Sequence, residues 1–232
     1  LVYNRLRPRL RELGLSSFGQ YLERLTADPA ELTVAIDLIS TNVTHFFREE
    51  YQFDYLRKAV LPQFRGEVWR GWSAGCSTGE EAYSLAITCH QALPTNRSWR
   101  VLATDISTRA LLHAQQGIYP RAAVDHLPPG VVEKYFQISS SEEIQVRSFL
   151  RERIWFRYFN LMTEIPLQSP VDVIMCRNVF IYFTKEKQRE LLSKFSRVLK
   201  PGGLLCLGHA ESIDGDWQQE QGFLSSLVLG YN

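Results

Sequence analysis

The chain has 232 residues, with 26 basic against 25 acidic side chains and a formal net charge of +1. That balance argues against a general nucleic-acid binder and against membrane-surface attachment. No apolar run approaches the ~20 residues that a membrane helix needs, and no signal-peptide pattern is visible. The length suits one large domain, or a medium domain with a smaller companion. Cys76, Cys89, Cys176 and Cys206 are widely spaced with no CxxC pair. They read as reduced thiols in a cytoplasmic protein, neither a disulfide framework nor a zinc site. The pattern is already helical at Leu1, so the native N-terminus is expected upstream of it.

Residues 1–65 read as a helical N-terminal domain with its linker. The first helix, Leu1 to Leu13, carries Arg5, Arg7, Arg9 and Arg11, a local basic concentration in a nearly neutral chain. It is either a solvated face or a docking surface for an acidic partner. Pro8 is expected to kink or restart this helix. Phe18 to Leu25 and Pro29 to Leu38 continue with amphipathic spacing, Leu32, Ala35, Ile36 and Ile39 forming one stripe. Thr41 to Arg48 reads TNVTHFFR, directly ahead of a helix over Glu50 to Leu61. Asn42 or Thr44 can cap that helix while the phenylalanines enter the core. Arg48, beside Phe47, needs a carboxylate or solvent.

From Glu67 onward strand and helix alternate, which marks a catalytic domain over 66–232 built on a parallel sheet. A strand over Val68 to Ala74 enters a turn of small residues, Ser73 to Gly79, and Glu80 and Glu81 open the next helix. Gly75 and Gly79 allow close approach of backbone to a ligand. No P-loop lysine follows Gly79, and the nearby carboxylates would repel phosphate. Ribose hydroxyls and a positive charge fit better, and S-adenosylmethionine has both. A second strand, Arg100 to Thr104, delivers Asp105 about 30 residues after the first strand ends. In doubly wound nucleotide folds an acid at that place takes the ribose hydroxyls. Ser107 then caps a helix running to about Gln116.

A short helix is expected over 129–136, begun by Pro129. Between Gln137 and Phe159 hydrophobic residues alternate with Ser, Glu and Arg, the pattern of a small antiparallel β-subdomain inserted at 137–159. Its edges offer a place for a peptide to add as a strand. Val171 to Cys176 is a continuous apolar strand of the kind buried on both faces, and it delivers Arg177 to Tyr182. An amphipathic helix over Lys185 to Leu199 stops at Pro201, Gly202 and Gly203, and Leu204 to Gly208 is the next strand. Phe223 to Asn232 reads as the opening of a terminal hairpin whose last strand lies beyond Asn232.

Seven collinear motifs resemble the CheR chemotaxis methyltransferases, a class I S-adenosylmethionine-dependent family. They are TNVTHFFRE at 41–49, WSAGCSTGEEAYS at 72–84, ATDIS at 103–107, FNLM at 159–162, MCRNVFIYF at 175–183, LKPGGLL at 199–205 and GHAES at 208–212. The resemblance implies a Rossmann-like α/β catalytic domain with a helical N-terminal domain and an inserted antiparallel β-subdomain. It implies methylation of glutamate side chains on the cytoplasmic helices of chemoreceptors, giving glutamyl methyl esters and S-adenosylhomocysteine. By position in the motifs, Asn42, Thr44, Arg48, Glu81, Asp105, Asn160, Leu161, Asn178 and Val179 would line the cofactor site. Arg48 and Tyr182 would lie nearest the transferred methyl. Some members bind a receptor's C-terminal peptide at the β insert. A target glutamate is ionised at neutral pH, so neither a histidine base nor a metal cluster is expected, and His209 reads as structural. Two rivals share the crevice: a nicotinamide-dependent dehydrogenase, disfavoured without GxGxxG, and a cofactor-binding sensor or scaffold that has lost catalysis.

Overall fold

The computed structural model describes residues 2–211 and 227–229. Three helices open the chain: α1 (Val2–Glu12), α2 (Phe18–Ala27) and α3 (Pro29–Ile39). Ser17 caps α2 through its hydroxyl, and Asp28 caps α3 by accepting from Ala30 and Glu31 N–H. Leu6, Leu10, Tyr21 and Ala35 form a small separate core. α1 runs unbroken through Pro8, where a kink or restart is expected. The carbonyl that Pro8 leaves without a donor belongs to Asn4, and both residues face water, which satisfies it.

Two of the four arginines of α1 are spent inside the protein. Arg5 Nη1 donates to the carbonyls of Ile39 and Ser40 at the end of α3. Arg9 forms a fork with Glu31, Nε at 2.9 Å and Nη2 at 2.7 Å, and Tyr21 O–H donates to the same carboxylate. Glu31 is only 4% exposed. The Arg9 hydrogen bond holds its carboxyl below the ordinary value, against the opposing pull of burial. Arg7 and Arg11 stay exposed, so a docking surface on this helix rests on those two.

A short helix, α4 (Glu50–Tyr55), continues through a π turn and a 3-10 turn to Gln63. The main sheet then begins with β1 (Val68–Ala74), α5 (Glu80–Ala92), β2 (Ser98–Asp105) and α6 (Thr108–Gln116). The following stretch holds β3 (Ile118–Pro120), α7 (Pro129–Tyr135), β4 (Phe136–Ile138), β5 (Glu143–Val146) and α8 (Ser148–Arg151). The chain returns to the main sheet with β6 (Ile154–Tyr158), β7 (Val171–Cys176), α9 (Lys185–Val198), β8 (Leu199–Leu207) and β9 (Leu227–Leu229). The order across the main sheet is β6-β2-β1-β7-β8-β9, with every pairing parallel. Most of the stretch expected as a terminal hairpin, over 223–232, lies outside the described residues.

The antiparallel sheet differs from the expected insert. It contains β3, β5 and β4 in that order, so Ile118 to Pro120 supplies a strand that its few residues did not announce. Ile154 to Tyr158, expected inside the insert, instead pairs with β2 as the edge of the main sheet. An edge strand buried on one face alternates like an antiparallel strand: Ile154 and Phe156 are buried while Trp155 and Arg157 are exposed.

Two apolar layers hold the main sheet. On one face Trp69, Leu85, Ile87 and Tyr83 pack with Phe46 and the antiparallel element. On the other, Trp72, Leu191, Leu192 and Phe195 form the layer under α9. Gly71 sits where a Cβ would meet the Trp69 ring at 2.7 Å and Leu85 at 2.9 Å. The strand keeps its place under α5 because that position has no side chain.

Candidate active site

The strand order reverses beside β1 and β7, so the loops leaving their carboxyl ends diverge and open a crevice. A cavity of about 600 Å³ lies there, in the size range of small-molecule sites. The end of α3 and residues 40–45 roof it, and the turns after β1, β2 and β7 form its floor.

Backbone geometry builds the floor. Gly75 has φ +95°, and a Cβ there would strike Val179 Cγ2 at 2.6 Å. Gly75 and Cys76 N–H both donate to Thr104 carbonyl, which binds the turn to β2. Ser77 N–H donates to Asp105 Oδ2 and Ser107 N–H to Asp105 Oδ1, each at 2.8 Å. Burial pushes the Asp105 carboxyl above its ordinary value in spite of these bonds. Glu81, the second residue of α5, accepts from Ser73 Oγ at 2.7 Å. Burial raises it too, opposed mainly by Arg177, whose Nη1 lies 3.7 Å away.

The roof segment is anchored by aromatics. Phe46 and Phe47 are buried, as the capping reading expects, and Phe47 N–H donates to Ser84 Oγ on α5. No side-chain cap is made to α4; its N-terminus begins at Glu49 in the left-handed region. Phe47 and Glu49 both have φ 55°, so Arg48 stands between two left-handed residues. For a bulky residue that conformation is strained and persists only when packing imposes it. Here it aims Arg48 at the cavity, where Nη1 donates to Val43 carbonyl at 3.0 Å. Asn42 and Thr44 line the same wall.

The remaining expected residues lie opposite. Asn160 Oδ1 accepts from Met162 N–H and its carbonyl from Thr163, making a tight turn that presents Asn160 and buried Leu161. Asn178 has φ 58° and Val179 follows it on the wall. Tyr182 ends a 3-10 turn, Phe180–Tyr182, at the mouth of the cavity and is 61% exposed. All ten residues expected at the site from Asn42 to Tyr182 therefore line one cavity.

Two charged residues organise this wall without having been singled out in the sequence. Arg177 is buried, donates through Nη2 to Arg48 carbonyl, faces Glu49 at 3.6 Å and Glu81 at 3.7 Å, and lies over the Phe53 ring. The signal was available: a charge directly after an apolar strand must emerge at the sheet's carboxyl edge. Glu211 accepts from Gly208, Asn178 and Ile181 N–H, and so fixes the turn that carries Asn178 to Tyr182. The bonds from Asn178 and Ile181 join segments 30 or more residues apart, which no local pattern reveals. His209 contributes its backbone N–H to Glu49.

Residues 42–226 match the family model "CheR methyltransferase, SAM binding domain", and residues 1–40 match "CheR methyltransferase, all-alpha domain". The chain is 42% identical over 220 residues to the chemotaxis protein methyltransferase of Salmonella typhimurium, covering 92% of this chain and 76% of that one. It is 40% identical to that of Escherichia coli over the same shares, and 37% identical to that of Borreliella burgdorferi, over 93% of this chain and 81% of the relative. The cofactor is S-adenosylmethionine, and the cavity fits it. Ser77 Oγ is buried on the cavity wall without a hydrogen-bond partner. The Gly75 cradle leaves room that a Cβ would fill, and the carboxylates of Asp105 and Glu81 on the wall can accept from ribose hydroxyls and face a positive charge. The fold is that of a class I methyltransferase, and the chain belongs to the CheR methyltransferase family.

Proposed function

We propose that this protein methylates glutamate side chains on the cytoplasmic helices of chemoreceptors, making glutamyl methyl esters. The observation that carries this reading is that Arg48 and Tyr182 line the same cavity as Asp105 and Glu81, with Tyr182 largely exposed where a protein substrate can reach it. S-adenosylmethionine supplies an electrophilic methyl on a sulfonium leaving group. Asp105 accepts hydrogen bonds from the ribose hydroxyls, and Glu81 faces the positively charged end of the cofactor. Asn42, Thr44, Asn160, Leu161, Asn178 and Val179 complete the walls. Arg48 holds the incoming carboxylate as a fork donor, and Tyr182 O–H donates to the same group. The substrate has a pKa of about 4.3 and arrives ionised, so no proton has to be moved. The protein's work is alignment and exclusion of water.

The partner is the receptor's cytoplasmic domain, which places the reaction in the cytoplasm; among the described residues no helix is long and apolar enough to cross a membrane. A receptor's C-terminal peptide would add as a strand to the three-stranded sheet, along an edge formed by β3 or β4. Transfer of a labelled methyl from S-adenosylmethionine to a receptor cytoplasmic fragment tests the reading. The label should leave as volatile methanol in mild alkali, as an ester does. A label that withstands alkali would mean another acceptor group.

A further inference from the structure

Asp37 lies on α3 within the helical N-terminal region, and its neighbours Ile36 and Ile39 line the cavity roof. Its carboxylate does not serve its own helix. Oδ1 accepts from Ser107 Oγ at 2.7 Å and from Arg109 N–H at 3.3 Å, and Oδ2 accepts from Thr108 Oγ1 at 2.8 Å. Arg109 Nη2 returns a bond to Asp37 carbonyl at 3.2 Å. The α6 N-terminus is thus capped twice, by Ser107 from within and by Asp37 from another part of the chain. An acidic group is favourable at that end of a helix.

Ser107 makes this more than a strut. It is fully buried and bridges two carboxylates, its hydroxyl donating to Asp37 and its N–H to Asp105 Oδ1. The other Asp105 oxygen holds the glycine turn through Ser77 N–H. One chain of bonds therefore runs from the roof, Asp37, through Ser107 and Asp105, to the floor at Ser77.

We propose that Asp37 is a positioning residue for the cofactor: by holding Ser107 from the roof, it fixes the orientation of Asp105 and clamps the helical region over the cavity. This rests on the reading of Asp105 as a cofactor ligand. The substrate carboxylate meets other residues, so the clamp acts on cofactor binding and leaves the transfer step alone.

The test is calorimetric titration of S-adenosylhomocysteine into the full chain, with kcat and KM for S-adenosylmethionine measured alongside. Asp37→Ala should raise both Kd and KM about tenfold, the scale for losing bonds to a charged group, with kcat within about twofold of wild type. Asp37→Asn keeps an acceptor oxygen and should show an intermediate rise; it carries the test where the alanine variant does not fold. Ser107→Ala should also weaken binding, and the Asp37→Ala/Ser107→Ala double variant should bind within about twofold of the weaker single one. A lowered melting temperature with wild-type Kd in the soluble Asp37 variants would make Asp37 a strut only, and overturn the proposal. Additive losses in the double variant would overturn the route through Ser107. Asp105→Ala separates the two readings. If it weakens binding and the Asp37 variants do not, this proposal alone fails; if it binds as wild type, both fail.

Discussion

At the residue scale the site depends on buried acids kept ready to accept. Asp105→Ala should weaken S-adenosylhomocysteine binding by roughly 1–3 kcal/mol, the cost of stranding hydrogen bonds to a charged group. An unchanged dissociation constant in calorimetry would remove Asp105 from the site. The same acids set a pH dependence. Burial raises Asp105 above 3.8 and Glu81 above 4.5, so each takes up its proton at a higher pH than an exposed carboxyl does. Cofactor affinity should accordingly begin to fall, as pH is lowered, before the ordinary carboxylate range is reached. A binding curve flat down to those ordinary values would contradict that. Tyr182 is different because it stands at the mouth, past Asn178 and Val179. Tyr182→Phe should keep S-adenosylhomocysteine affinity within about twofold while lowering kcat, the mark of a contact made in the transition state. Equal losses in both would move Tyr182 into the cofactor site.

At the scale of elements, the parallel strands and the acid at the end of β2 were legible in the sequence because each is a local pattern. Continuous apolar runs and a spacing of about 30 residues suffice for both. The edge strand β6 was not, because half-burial gives it the alternation of an antiparallel strand. β3 has only three residues, Ile118–Pro120, too short for any periodicity. The segments that carry Arg48 and Asn178 were legible as motifs, but the left-handed backbone at Phe47, Glu49 and Asn178 was not, since packing of Phe46 and Phe47 and the bonds to Glu211 impose it. Asp37 was hidden because its partners are distant in sequence; the place of Arg177 after an apolar strand was legible, but its partners Glu49 and Glu81 were not. In the helical region, Arg9 and Arg7 look alike on paper and differ in the fold. Arg9→Glu should lower the melting temperature more than Arg7→Glu, because Glu31 then faces a like charge while buried. The Glu31 carboxyl is held below 4.5, so its contribution is full above that pH and fades as pH falls through the lowered value. Thermal melts of the two variants between neutral and acid pH check both statements; equal melting temperatures would show that the buried pair contributes nothing.

At the scale of the whole molecule, a nearly neutral chain keeps two exposed arginines, Arg7 and Arg11, on the outer face of α1. Under the proposed function the receptor helices present glutamates, and exposed charge pairs are screened over roughly 8–10 Å at physiological salt. Reversing Arg7 and Arg11 to Glu should raise KM for receptor without changing S-adenosylhomocysteine affinity, and should flatten the salt dependence of KM. Wild-type methylation by the double variant at low salt would move the docking surface elsewhere, with the three-stranded sheet as the next place to look. Beneath this lies the central claim, that the cavity delivers a methyl group to a glutamate oxygen. Mass-spectrometric mapping of a receptor cytoplasmic fragment, incubated with the protein and S-adenosylmethionine, tests it most directly. The account predicts single methyl groups on glutamate side chains of the receptor helices, dependent on Arg48. Methyl groups on lysine or another side chain, or an unmodified receptor beside normal cofactor binding, would contradict it.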